Sequence, residues 1–158
     1  MPIAYIVIVI QVVRWYRQRR KQSKTIADYA KTIGLRLDNA DAYYKRGDAG
    51  AEVGEYGQAI ADYSRAIELD PGYSSAYFNR AYAYGEIGDY HKAIADYSKA
   101  IELNPSDAQA YYNRGLDYDN KGEVSKAVSD LEKCIPLSSD PKLTEDAQQA
   151  LNEIKNSH

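Results

Sequence analysis

The chain has 158 residues, 44% hydrophobic and 27% charged, with a net charge of −3, which suits one domain with a substantial buried core. A single cysteine (Cys134) and two histidines (His91 and His158) exclude an internal disulfide framework and cysteine-cluster metal sites, and leave little for histidine catalysis. Charge is unevenly placed: residues 1–24 hold six basic side chains and no acid, whereas the other 134 hold 14 basic and 23 acidic ones, a +6 arm on a −9 body that should repel nucleic acid.

The arm comes first. Ile3 to Val13 is an apolar, β-branched run of eleven residues, and a helix needs about 20 to cross a bilayer core. Trp15 and Tyr16 follow as interfacial rings, with Arg14, Arg17, Arg19 and Arg20 as a cytoplasmic flank. The charges follow the apolar run, the reverse of a cleaved signal peptide. Residues 3–16 therefore read either as a membrane anchor or surface segment, touching anionic lipid through Arg14 to Arg20, or as an extra helix packed on the repeats near Gly50. A truncated transmembrane helix whose start lies upstream is a third reading. The repeats are expected in the cytoplasm, or on the cytoplasmic side of a membrane.

Beyond the arm the chain repeats itself. Ile60-Ala61-Asp62-Tyr63 recurs as Ile94-Ala95-Asp96-Tyr97 and, more loosely, as Val128-Ser129-Asp130-Leu131. Tyr43, Tyr77 and Tyr111 keep the same 34-residue step, as do Arg46, Arg80 and Arg114, and Gly54, Gly88 and Gly122. Such a period means stacked units, none able to bury its apolar face alone. Within one unit, Tyr77, Arg80, Ala81 and Tyr84 form one helical stripe. Gly88-Asp89 breaks it, and Ala93, Ile94, Tyr97, Ala100 and Ile101 form a second, stopped by Asn104-Pro105. The short turn makes the two helices antiparallel.

Ile26-Ala27-Asp28-Tyr29 matches the same motif one period earlier, so residues 25–39 read as a degenerate half-repeat. Units follow at 40–73, 74–107 and 108–140. Asp140-Pro141 then supplies an N-cap and a first-turn proline. A last helix within 141–158 carries Leu143, Ala147, Ala150, Leu151 and Ile154 on one side, as a solenoid cap should.

This pattern resembles the tetratricopeptide repeat, carried by Tyr43, Gly47, Ala59, Tyr63, Ala66 and Pro71 in the first unit. The second matches at Tyr77, Ala81, Tyr84, Ala93, Tyr97, Ala100 and Pro105, and the third at Tyr111, Gly115, Tyr118, Ala127, Leu131 and Cys134. Small residues suit close helix crossings and aromatics fill the gaps between them. Departures are Gly50 where an aromatic belongs, which leaves room between helices, and Ser139 in place of the third terminal proline. The resemblance implies an all-α, right-handed α-solenoid of antiparallel helix hairpins: three full repeats, the N-terminal half-repeat and the capping helix.

It also implies a function. The first-helix face turned away from its partner helix lines, in this family, a concave groove for extended peptides or partner helices. Here that face carries Tyr44, Lys45, Asp48, Phe78, Asn79, Tyr82, Glu86, Tyr112, Asn113 and Leu116. Rings beside amides suit recognition, although a ring at the fifth repeat position equally packs on the next repeat. Some relatives clamp carboxylate tails with lysine, arginine and asparagine. Tyr44, Asp48, Asn79, Gln109 and Asn113 stand at those positions and only Asn79 fits, so no ligand of that type is expected. With Asp41, Asp48, Glu52, Glu86 and Asp119 against Lys45, the groove should prefer a basic or neutral protein segment.

No catalytic residue, metal ligand or cofactor is expected. Gly47, Gly50, Gly54 and Gly57 lack a following Gly-Lys-Ser/Thr, and Cys134 reads as a small core filler. The expectation is a non-catalytic scaffold or adaptor, tethered to a membrane if residues 3–16 act as the anchor. The alternative is nucleic-acid or anionic-surface binding through the arm, with Trp15 and Tyr16 stacking and a steep salt dependence.

Overall fold

The computed structural model describes residues 39–157, and all of its regular elements are helices. They are α1 (Ala40–Glu52), α2 (Tyr56–Leu69), α3 (Ser74–Glu86), α4 (Tyr90–Leu103), α5 (Ala108–Asn120), α6 (Val124–Leu137) and α7 (Pro141–Ser157). Of the half-repeat expected at 25–39 only Asn39 is described. The anchor or extra helix at 3–16, with Arg14, Trp15, Tyr16, Arg17, Arg19 and Arg20, lies outside the described residues. Among the described residues, no helix is long and apolar enough to cross a membrane.

Local chemistry sets the helix ends. Asn39, Asp89 and Asp107 cap α1, α4 and α5, their side chains accepting from the amides of Asp41, Lys92 and Ala110. Each cap satisfies a donor that the first helical turn leaves unpaired. Pro141 opens α7, where it lacks only an N–H that the helix does not need. Within each hairpin the turn passes through Gly54, Gly88 or Gly122, at φ of +78°, +79° and +72°. That left-handed conformation strongly favours glycine, which is why glycine returns every 34 residues.

Each helix packs chiefly on its neighbours in chain order, and α7 closes the stack against α6 and α5. This is a solenoid of three hairpins and a cap. The crossings are close because the facing residues are small. Ala59, Ala66, Ala81, Ala93, Ala100 and Ala127 have no solvent exposure. At Gly47 an added Cβ would come within 2.6 Å of the Tyr63 ring. At the cap end Ala127, Leu131 and Cys134 pack with Leu143, Ala147, Leu151 and Ile154 of α7. Each large aliphatic buried there contributes about 1.5–3 kcal/mol.

An arginine ladder holds the register. Arg46, Arg80 and Arg114, on the first helix of each hairpin, form bidentate ion pairs with Asp62, Asp96 and Asp130 on the second. Arg80 Nη1 also donates to Ser64 Oγ, and Arg114 Nη1 to Ser98 Oγ, both at 2.9 Å, on the preceding hairpin. One guanidinium thus joins two repeats. The aspartates are 2%, 8% and 3% exposed, so loss of an arginine would strand a buried charge at a cost of about 3–5 kcal/mol.

Candidate functional site: two matched pockets along one groove

The first helices of the hairpins, α1, α3 and α5, present their outward faces along one side of the stack, and two pockets open there one repeat apart. The first, about 480 Å³, is lined by Asp48, Ala51, Glu52, Tyr56, Tyr63, Asn79 and Tyr82. The second, about 250 Å³, has Tyr82, Gly85, Glu86, Tyr90, Tyr97, Asn113 and Leu116 in the same repeat columns, and adds Asp117 and Asn120. Tyr82 is the wall between them and is 45% exposed. Tyr56 OH donates across to Glu86 Oε2 at 3.1 Å, tying the rim of the first pocket to the second.

The first pocket is closed chemically. Asp48 Oδ1 accepts from Tyr63 OH and from Asn79 Nδ2, both at 2.8 Å, and Asn79 Nδ2 also reaches Tyr44 OH at 2.9 Å. Burial, reinforced by the Asp48 charge, pushes the Tyr63 phenol far above its ordinary value, so it stays a donor.

The second pocket is different. Tyr82 stands in the column of Asp48, and the carboxylate comes instead from Asp117 on α5. Asp117 is 7% exposed and its Oδ2 has no hydrogen-bond partner. Burial alone pushes its carboxyl up to about 7. Gly85 faces it: a Cβ there would lie 3.5 Å from Oδ1 and 3.8 Å from Oδ2. Tyr97, buried and held as a neutral phenol by its burial and by the Asp117 charge, closes the floor beside Asn113.

The ten residues anticipated for this face fall into three groups. Asp48, Asn79, Tyr82, Glu86, Asn113 and Leu116 line the pockets. Tyr44, Phe78 and Tyr112 are half-buried and lean on neighbouring rings and core residues. Tyr44 stacks on Tyr73, the residue just before α3, at 4.9 Å between ring centroids, Phe78 meets Tyr97 edge-on at 5.5 Å, and Tyr112 packs on the C-terminal core. Lys45 sits on the surface of α1, paired with Asp41 at 2.6 Å. Asp117, Gly85 and the ring pairs Tyr56/Tyr90 and Tyr63/Tyr97 were absent from that set. Aligned columns would have exposed Asp117, since it stands where the other two units have Ala49 and Ala83. Among the described residues no cluster of three His, Cys, Asp or Glu is placed to hold a metal ion.

A stack of helix hairpins with a lined groove defines a helical repeat protein, and comparison specifies which. Tetratricopeptide repeat models match residues 74–107 and 97–129, and a TPR repeat model matches 47–88. The solved structure of MamA is 32% identical over 77% of this chain and 67% of its own, with a TM-score of 0.69. The chain belongs to the tetratricopeptide repeat family. The first TPR of Spaghetti (RPAP3), solved with the HSP90 peptide SRMEEVD, is 26% identical over 75% of this chain and 92% of its own, TM-score 0.71. The Arabidopsis OM64 TPR domain, at 23% identity and TM-score 0.69 over 74% of this chain and 97% of its own, shares the fold. No curated protein sequence matches the chain. Proteins of this family are generally non-catalytic interaction modules, and the repeats and their solved neighbours support a protein-interaction scaffold here.

Proposed function

We propose that the groove formed by α1, α3 and α5 binds an extended peptide or a partner helix of basic or neutral character, and that the chain works as an adaptor without catalysis. The observation that supports this best is the pair of pockets one repeat apart, sharing Tyr82 and each edged by acids: Asp48 and Glu52 in one, Glu86 and Asp117 in the other. A partner chain laid along the groove would meet the same ring-and-acid chemistry twice, and charge complementarity sets its preference. The peptide SRMEEVD held by the Spaghetti domain is acidic, whereas the columns that would face such a tail here include Tyr44 and Asp48.

Site-specific photo-crosslinking in cells tests the groove. A photoreactive side chain at position 82 should trap a protein partner, and one at Lys99, half-buried on α4 outside both pockets, should not. Adducts at 99 with none at 82 would overturn the reading. Residues 1–24 are proposed as the tether to a membrane surface. The full chain should then pellet with membranes through alkaline carbonate and high-salt washes, while a chain lacking residues 1–24 stays in the supernatant. Equal partition of both chains removes the tether.

A further inference from the structure

We infer that the second pocket is a subsite for one cationic side chain of the partner, a lysine ammonium or an arginine guanidinium, whose N–H donates to the Asp117 carboxylate. This rests on the groove reading and gives it a specific contact. Four observations carry it. Asp117 is more than nine-tenths buried and lines the pocket, yet Oδ2 has no donor. A buried carboxylate without a donor is costly, so such groups are nearly always paired. Two features of the sequence coincide here: Asp117 stands where the other two units have alanine, and Gly85 occupies a column that holds Ala51 in the first unit and Asp119 in the third. The first adds an anion and the second removes the side chain that would stand against it.

The remaining two observations concern the walls. The rings of Tyr82, Tyr90 and Tyr97 suit an aliphatic stem and the face of a cation. Of the charged or titratable groups lining the pocket, α3 contributes Glu86 and Tyr82, α4 contributes Tyr90 and Tyr97, and α5 adds only Asp117 itself beside Asn113, Leu116 and Asn120. None of these is a cation, so nothing in the pocket wall competes with a ligand's charge. A bound cation favours the ionised carboxylate, so occupancy expels the proton that burial retains and binding tightens as pH rises from 5.5 to 8.

The direct test titrates the full chain with n-butylammonium and with n-propylguanidinium, reading the backbone amide resonances of Gly85 and Asn113, with 1-butanol as the neutral control. Saturable shifts from either cation, more than fivefold tighter at pH 8 than at pH 5.5, and absent in Asp117→Asn and Asp117→Ala, are expected. Equal response to butanol, or unchanged response in both variants, overturns the subsite. The better of the two cations identifies lysine or arginine as its natural occupant.

A random heptapeptide library panned on the full chain separates this from the groove itself. Selected peptides should require one Lys or Arg, whose replacement by norleucine weakens binding at least tenfold on the native chain and less than twofold on Asp117→Asn. Peptides that depend on Tyr82 but on no basic residue refute the subsite and leave the groove reading intact. Peptides indifferent to Tyr82→Ala refute the groove reading, and the butylammonium titration then still decides the pocket.

Discussion

The pocket between the first and second hairpins and the pocket between the second and third draw on the same repeat columns, yet they treat their carboxylates differently. In the first, Asp48 projects from the groove face and finds two donors already in place, a tyrosine hydroxyl and an asparagine amide. In the second, the equivalent tyrosine and asparagine are present as Tyr97 and Asn113, but Tyr82 has taken the carboxylate's column and Asp117 supplies the charge from a buried one. The arginine ladder behind both pockets is unchanged. The scaffold and the recognition surface thus use separate columns of one repeat. The ladder holds the hairpins together while single substitutions on the groove side reset the chemistry of one pocket at a time.

The comparison can be broken most severely by copying the second pocket's anion into the first. Ala83, fully buried, is the counterpart of Asp117. Ala83→Asp would place a second carboxylate beside Asp48 with no donor to spare, and should cost about 3–5 kcal/mol at pH 8. Urea unfolding at pH 5 should show a smaller loss, because the new acid can then stay neutral.

The reverse exchange, Asp117→Ala, should stabilise the free protein. In the native state this carboxyl holds its proton up to about 7, against an ordinary 3.8. The unfolded chain therefore releases that proton first as pH rises. Native stability from the neutral acid is complete below about pH 4, falls between pH 4 and 7, and is gone above. The variant should gain roughly 2–4 kcal/mol over the native chain at pH 8 and little at pH 4. Unfolding midpoints across that range check the sign.

Smaller effects sharpen the contrast. Asp48→Ala leaves the Tyr63 hydroxyl and the Asn79 amide without their acceptor, and should destabilise by about 2 kcal/mol in urea unfolding. Gly47→Ala drives a methyl group within 2.6 Å of the Tyr63 ring. It should cost about 1–2 kcal/mol and shift the Tyr63 ring resonances, although the second hairpin carries Ala81 in that column. Gly50→Ala meets only ordinary contact, 3.7 Å to Ala59, and should add about 0.5–1 kcal/mol through helix propensity. Thermal unfolding distinguishes the two glycines by sign.

The solenoid was legible because its signals are local and repeated. Tyr43, Tyr77 and Tyr111 mark the period, and Gly54, Gly88 and Gly122 recur because the turn needs positive φ. The ladder was half visible. The arginines stood out as a column, but their partners lie 16 residues on, across a turn, and Ser64 and Ser98 belong to the previous repeat. No single-helix periodicity reveals such pairs. The groove face was read from helix angles, which assigned Asp48, Asn79 and Tyr82 to it. Angles alone could not say that Tyr44 and Phe78 turn onto Tyr73 and Tyr97. Asp117 was missed for the opposite reason. Its column reads as core in the other repeats, and the charge stands out only against Ala49 and Ala83.

The most direct measurement is the ionisation of Asp117 in the free, full-length protein, followed through its ¹³C carboxyl resonance from pH 3 to 9. The account predicts a midpoint near 7, because the carboxyl is buried and its Oδ2 has no donor within the described chain. A midpoint in the ordinary carboxylate range near 4 would mean that the second pocket is satisfied within the chain, and the difference between the two pockets would disappear.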